Sequence, residues 1–439
     1  MATLLPGPLP PRFADLKREI AESYGPGFEQ HITIAWEDLL RELAKTTSEI
    51  ENAGSQIIPQ VAFAELDNLT PEQIADIKKR GCVVIKDVVD DEQASGWKTD
   101  LKQFAIDNPM IPGFPEDDKQ FFNVYWSKPQ VEARAHPNVL KASARLNEFY
   151  HANGKTHLDG VDLKTPLSYA DRYRIRKADG KPWSRFPPHV DGGSIERWED
   201  PTFRSCFADI LRGQWREHDA YDLEGRINAR SSMYGRPNQA SVFRTYQGWL
   251  AMSDIGQRQS TICFFPDVVL SNAYTILRPF FRLKSNPVSD DALAVENWEY
   301  DITNSDFPGI YSMSDGKGYA GPRPNTESHP HLNLDKTMTP IPHVSPGDMV
   351  FWHSDLIHSV VSEFEGTGDS SVMYIGAVPT TKQNLEYIAR QRETFERGVI
   401  PPDYPQASPE ISYVGIGRPE HILGDAGRHA MGFPILTSA

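Results

Sequence analysis

The chain has 439 residues, 39% hydrophobic and 24% charged, enough for one large core with appendages or two ordinary domains of a water-soluble protein. Its 60 acidic and 45 basic side chains give a formal charge of −15, without the basic surplus or stripe of a nucleic-acid binder. Three cysteines (Cys82, Cys206, Cys263) at unpaired spacings argue against a disulfide framework and read as reduced thiols.

The stretch Met1–Pro11 lacks the basic flank and apolar core of a signal peptide, and no run approaches the roughly 18 apolar residues of a membrane helix. A cytoplasmic location is expected. Residues 1–60 read as a helical extension: Ile32, Ala35, Trp36, Leu39 and Leu43 recur at helical spacing between charged residues. That stripe is expected to pack on the main body, with a partner-binding helix as the alternative.

Residues 61–400 read as the main, catalytic domain. Thr70-Pro71-Glu72-Gln73 supplies an N-cap, a proline at the first helical position and a capping-box glutamine, predicting a helix Pro71–Arg80 that stops at Gly81. A strand over Cys82–Ile85 and a helix from Asp90 towards Asn108 follow. From Tyr169 onward short β runs alternate with turn-rich connections. The predicted strands are Tyr173–Arg176, Pro188–Asp191, Ser241–Met252, Thr261–Phe265, Asp348–Trp352, His358–Ser362 and Ser371–Ala377. This pattern suggests a jelly roll flanked by helices, hence an α+β chain. A late helix is expected from Thr381 to Arg397, with Leu385, Ile388 and Phe395 inward and Gly398 as its stop. Residues 401–439, opening on Pro401-Pro402-Asp403-Tyr404-Pro405, read as an extension wrapped over the body.

The chemistry-bearing pattern is His189-Val190-Asp191 followed by His358. Two imidazoles and a carboxylate on one side of a divalent metal, with the other side open, form the facial triad of non-haem Fe(II) oxygenases. On an extended segment His189 and Asp191 point the same way while Val190 turns away. His353 competes with His358; His358 is preferred because Ser359-Val360-Val361 anchors it on a strand, leaving His353 to support the ligands or gate the site. His329 and His331 with His343 offer a separate Zn or Ni site, against the plainer reading of solvated loop histidines. No nucleophile elbow, P-loop, dinucleotide fingerprint or HExxH helix is present. Between Asp171 and Arg244 there are 14 Lys/Arg against 11 Asp/Glu, so this segment is basic within an acidic chain. Its arginines can clamp carboxylates, or merely form surface ion pairs.

The blocks Pro188-His189-Val190-Asp191-Gly192-Gly193, Gly248–Asp254, Ser260–Pro266 and Gly347–His358 occur in the order found in 2-oxoglutarate/Fe(II) dioxygenases. The chain resembles the phytanoyl-CoA-hydroxylase-like group. More narrowly, Trp126–Gln130, the HVDGG block and the Pro401–Pro405 tail resemble an uncharacterised branch found in bacteria and fungi. The resemblance implies a double-stranded β-helix (jelly-roll, cupin-like) core with Fe(II) on His189, Asp191 and His358. It also implies 2-oxoglutarate as cosubstrate, succinate and CO2 as co-products, and oxidation, typically hydroxylation, of a small molecule. One departure stands out. The group places an arginine for 2-oxoglutarate a short way downstream of the distal histidine, where this chain has Thr367-Gly368-Asp369-Ser370-Ser371-Val372. Arg244, Arg258, Arg172 and Arg174 are the replacements considered, with Arg244 preferred. The alternative is a metal-binding jelly-roll protein without O2 chemistry, either a cupin-type isomerase or hydrolase or a binding module. The expected partners are O2 and a small-molecule substrate, with an anionic one left open by the basic segment. No nucleic acid or membrane partner is expected, and homo-oligomerisation is left open.

Overall fold

The structure is a computed structural model that describes residues 4–5, 7–152, 158–183, 186–289, 291–405 and 407–434. Helices Arg12–Ser23 and Phe28–Ala53 open the chain. In the second, Ile32, Ala35, Trp36, Leu39 and Leu43 are all buried, as their spacing predicts. Trp36 stacks on Phe281 at 4.5 Å and on Tyr274 at 5.2 Å, so the stripe packs within the chain. Helix Pro71–Arg80 carries the predicted capping box on Thr70, a cap worth about 1 kcal/mol. It ends at Gly81, whose φ of 68° is left-handed; a Cβ there would lie 2.9 Å from Cβ of Val268. Helix Asp91–Asp107 follows, capped by Asp90.

An eight-stranded sheet forms the centre of the fold. In spatial order its strands are Gln60–Ala62, Cys82–Lys86, Met349–His353, Tyr246–Ala251, Asp369–Tyr374, Tyr173–Lys177, Phe121–Phe122 and Gly113–Phe114. Neighbours are antiparallel except the first pair. The inner strands Met349–His353 and Tyr246–Ala251 are buried along their whole length, which is why they read as nearly unbroken apolar runs. A second sheet orders Thr339–Pro340, Ile262–Phe264 and His358–Val360. Phe264 of the small sheet meets Trp352 of the large one, ring centroids 5.8 Å apart. The chain is thus mixed α+β, with a large sheet, a smaller one and many helices.

Several predicted elements shift. The strand expected over Ser241–Met252 runs only Tyr246–Ala251, and the backbone ahead of it is taken elsewhere: Ser241 N–H donates to Asp403 at 2.8 Å, and Phe243 N–H to Asn384 at 2.8 Å. Pro188–Asp191 makes only a single bridge, between His189 and His358. Pro187 and Pro188 have no N–H to give, and Gly192 and Gly193, at φ 74° and 106°, turn the chain away. The late helix spans Lys382–Glu396 with Thr381 as N-cap. Leu385, expected inward, is 45% exposed, while Asn384, Ile388, Gln391 and Phe395 form the buried face. Asn384 and Gln391 occupy it because they satisfy the backbone of Phe243 and of Ser168 and Ala170. Among the described residues no helix is long and apolar enough to cross a membrane.

The C-terminal segment is pinned by two acids. Asp403 accepts from Ser241 and from the hydroxyl of Tyr169. Glu410, buried, accepts from the N–H groups of Tyr125 at 3.0 Å and Trp126 at 2.9 Å. Burial pushes its carboxyl up to about 7. Because the folded value is raised, native stability is lost as pH rises from the ordinary glutamate range through about 7. Glu410→Gln removes this loss. The variant is expected to gain stability relative to the parent between about pH 5 and pH 8, by at most about 3 kcal/mol. Parallel urea titrations across that range check it; a difference independent of pH would contradict the assignment.

Candidate metal centre

His189 and His358 sit directly opposite one another, exchanging both backbone hydrogen bonds (His189 N–H to His358 O, 2.9 Å; His358 N–H to His189 O, 3.0 Å). Residues paired in this way project to the same side, and the two ring centroids lie 4.3 Å apart. Their neighbours alternate away. Val190 and Ile357 are buried in the apolar cluster that contains Ile32 and Leu39 of the N-terminal helix. Asp191 completes the set: its Oδ1 is 3.7 Å from Nε2 of His189 and its Oδ2 is 3.2 Å from Nε2 of His358. One donor atom from each residue lies within 4.8 Å of the other two.

Hydrogen bonds fix how each donor is presented. Nδ1 of His189 lies 2.7 Å from the carbonyl of Pro187, and Nδ1 of His358 lies 2.9 Å from that of Leu356. Each carbonyl therefore takes an Nδ1–H, leaving both Nε2 lone pairs for a cation. Burial and the neighbouring His358 imidazole push His189 down to about 4, so it is neutral at physiological pH. Burial alone would raise Asp191. His189 and His358, helped by Arg244, overcome it and hold the carboxyl well below its usual range. A neutral His189 and an ionised Asp191 are forms a metal takes without expelling protons.

Four further side chains hold this set. Gln247 Nε2 donates to Asp191 Oδ2 at 2.5 Å. Arg197 donates to the carbonyl of Asp191 at 2.8 Å and to Asp355 at 2.7 Å, and Arg226 pairs with the other oxygen of Asp355 at 2.7 Å. This buried pair of ion pairs ties the His189–Gly193 loop to the His353–His358 turn. His353 lines no part of the site: it is buried, stacked on Tyr150, with Nε2 2.9 Å from the carbonyl of Ala220. Its Nδ1 accepts from Asp355 N–H, so it supports the turn from behind. Gln247→Leu, which leaves one Asp191 oxygen without its donor, is expected to weaken Mn(II) binding by about 10–100-fold, measured by isothermal titration.

The triad opens into a cavity of about 560 Å³ between the two sheets. Arg174, Trp249, Trp352 and Tyr374 reach it from the large sheet, and Ile262 and Val360 from the small one. Ile400, Pro405 and Ala407 close it from the C-terminal side. The considered arginines divide sharply. Arg258 is exposed, paired with Glu365, and lies outside the cavity. Arg244 lines two smaller pockets alongside, its guanidinium over the ring of Tyr169. Arg172 lines the cavity but pairs with Asp171 at 2.8 Å, between the rings of Phe121 and Tyr404. Arg174, 3% exposed, lines it with no carboxylate partner among the described residues; its bonds go to the carbonyl of Ser260 and to Ser370 Oγ at 3.1 Å.

His329, His331 and His343 do not converge. His329 and His331 are buried rather than solvated, bonded to Ser328 and Tyr274, while His343 lies exposed beside Asp254. Among the described residues His189, Asp191 and His358 are the one group of three able to hold a metal. Sequence reading passed over Gln247, Arg197, Asp355, Arg236 and Arg323. Asp355 lay within the quoted Gly347–His358 block, and Gln247 alternates with Trp249 on a predicted strand; Arg236 and Arg323 lie in loops without a chemical pattern.

The whole fold has close counterparts. The crystal structure of GlcNAc Inducible Gene 2 (GIG2) of Candida albicans is 30% identical, with a TM-score of 0.84 over 99% of this chain and 92% of that one. A Salmonella typhimurium LT2 protein, provisionally named an oxidoreductase, is 26% identical, with a TM-score of 0.79 over 98% and 99% of the two chains. The uncharacterised YbiU protein of Escherichia coli (strain K12) is 28% identical over 394 residues, 86% of each chain. The Gig2-like family model matches residues 7–433, and with so complete a match the chain belongs to the Gig2-like family.

Proposed function

We propose that this protein is a non-haem Fe(II)/2-oxoglutarate-dependent oxygenase, its two sheets forming a jelly-roll core, that oxidises a small organic molecule by hydroxylation. The observation that carries this reading is the place of Arg174. By the resemblance noted in the sequence, the cosubstrate's arginine would fall within Thr367–Val372, where this chain has no basic residue and strand Asp369–Tyr374 carries Ser370. Val372 pairs with Arg174 on the adjacent strand, and the Arg174 guanidinium donates to Ser370 Oγ. A guanidinium thus stands at that point of the cavity wall, delivered by the neighbouring strand. Arg172 and Arg176 on the same face are matched by Asp171 and Asp179; Arg174 between them is unmatched, with its Nε buried and unpartnered.

The residues fit the groups they would hold. His189, Asp191 and His358 offer two nitrogens and one oxygen, the donor set Fe(II) accepts. Arg174 would take the far carboxylate of 2-oxoglutarate as a charge-assisted pair. When bound, Fe(II) and 2-oxoglutarate supply O2-dependent oxidation of a C–H bond, with release of succinate and CO2. The chain's own residues orient and shield. The carbonyls of Pro187 and Leu356 fix the imidazoles, Gln247 and Arg197 fix Asp191, and the aromatic walls keep water from the reacting centre. The provisional name of the Salmonella relative agrees with an oxidoreductase.

Anaerobic addition of Fe(II) and 2-oxoglutarate is expected to give a visible charge-transfer band, and admission of O2 to convert 2-oxoglutarate to succinate even without prime substrate. Metal binding with neither band nor succinate would turn the assignment towards an O2-independent metal protein.

A further inference from the structure

Two more arginines lie against the triad. Arg323 lines the main cavity. Arg236 lines an adjoining polar annex of about 100 Å³, which shares Asp171 (paired with Arg172), Arg172, Asp191, Asn238 and Gln247 with that cavity. Neither forms an ion pair among the described residues, and Arg236 Nε is buried without a partner. The acid nearest in charge to Arg236, Glu196, is committed to the N–H of Ser194 at 2.7 Å. Burial works against the charge of both guanidiniums and Asp191 favours it, while Arg323 adds repulsion at Arg236.

Arg323 is held there by a built loop. Val190 N–H, between two triad residues, donates to Pro322 O at 2.9 Å, and Arg323 N–H donates to Gly309 O at 2.8 Å. Gly321, at φ 129°, lies so close that a Cβ would come 2.2 Å from Gly309 O. A tight, glycine-dependent loop thus aims a cation at the metal centre. Two partly desolvated guanidiniums that form no ion pair and share the pull of Asp191 are under-compensated, and that cost is offset when an anion arrives.

If 2-oxoglutarate rests on Arg174, its charge is already met, and a second anion remains to be accounted for. The cavity also exceeds what a five-carbon diacid fills. Its outer part offers Phe121 and Phe186, ring centroids 5.9 Å apart, with Phe114 stacked on Phe121 at 4.7 Å. We propose that Arg236 and Arg323 form an oxyanion seat for the prime substrate, an organic acid whose carboxylate or phosphate rests on this pair while an apolar body lies against Phe121 and Phe186. The substrate assignment rests on the oxygenase reading; the anion seat itself does not.

The test uses phenylacetate, phenyl phosphate and the neutral phenylacetamide as probes. Binding is followed by isothermal titration on the full chain, both metal-free and loaded with Mn(II) and 2-oxoglutarate. At least one acid is expected to bind about tenfold or more tightly than the amide, and whichever does identifies the headgroup. Arg323→Met and Arg236→Met should each erase that preference while leaving 2-oxoglutarate affinity within about twofold, and Arg174→Met should do the converse. Arg323→Lys, which keeps the charge if the methionine variant folds poorly, should retain part of the preference. Equal binding of acids and amide, or a preference that survives in both arginine variants, overturns the seat. So does loss of 2-oxoglutarate binding in those variants rather than in Arg174→Met. Failure of Mn(II) and 2-oxoglutarate to bind the parent at all sinks the oxygenase reading instead, and the metal-free titrations still decide the seat.

Discussion

Asp191→Ala is expected to weaken Fe(II) or Mn(II) binding by more than about 100-fold and to bring succinate formation to background, in a protein that still folds. Loss of a residue that merely supports a ligand costs about 10–100-fold in affinity, and Asp191 is the only anionic ligand of the three. Its removal leaves two imidazoles among Arg236, Arg244 and Arg323, whose charges repel a divalent cation. Titration with Mn(II), alongside a thermal melt, separates this from unfolding. A variant that binds metal within a few-fold of the parent would move the site elsewhere.

Asp355→Ala is expected to cost about 3–5 kcal/mol of stability. Asp355 is buried between Arg197 and Arg226, and its removal strands two guanidiniums in the interior. Burial alone would raise its carboxyl, but Arg226 and then Arg197 hold it well below the usual range. The stabilisation is therefore complete above the ordinary carboxylate range and is lost as pH falls through the depressed folded value. The gap between parent and variant should be widest at neutral pH and close only in strong acid. Urea titrations at neutral and acidic pH measure it. Because Arg197 also holds the carbonyl of Asp191, metal affinity should fall along with stability; a destabilised variant with parental metal affinity would separate the clasp from the site.

The convergence of His189, Asp191 and His358 was legible from two signals: His189 and Asp191 alternate on one segment, and the blocks around them and around His358 follow the order of a known dioxygenase pattern. The helix caps at Thr70 and Gly81 were legible because their signals are local. Beyond that, tertiary context decided. Ser241–Phe243 has strand-like residues, yet Asp403 and Asn384 claim its backbone from segments more than a hundred residues away. Leu385 lost its inward place to two amides whose value lies in distant carbonyls and N–H groups. The arginines were the hardest to sort. Arg172, Arg174, Arg244 and Arg258 look alike as letters, and only the positions of Asp171 and Glu365 show which are already paired.

Each ligand-bearing segment has two sides, and the side turned from the cavity belongs to a different part of the chain. Val190 and Ile357 belong to the same buried apolar cluster as the inward stripe of helix Phe28–Ala53. The first fifty-odd residues are consequently not an exchangeable module. A screen for variants that lose metal binding is expected to return substitutions at Trp36 or Leu39 alongside those at the histidines, and a recombinant that keeps His189, Asp191 and His358 but takes a foreign N-terminus would keep them on segments whose apolar backing has changed.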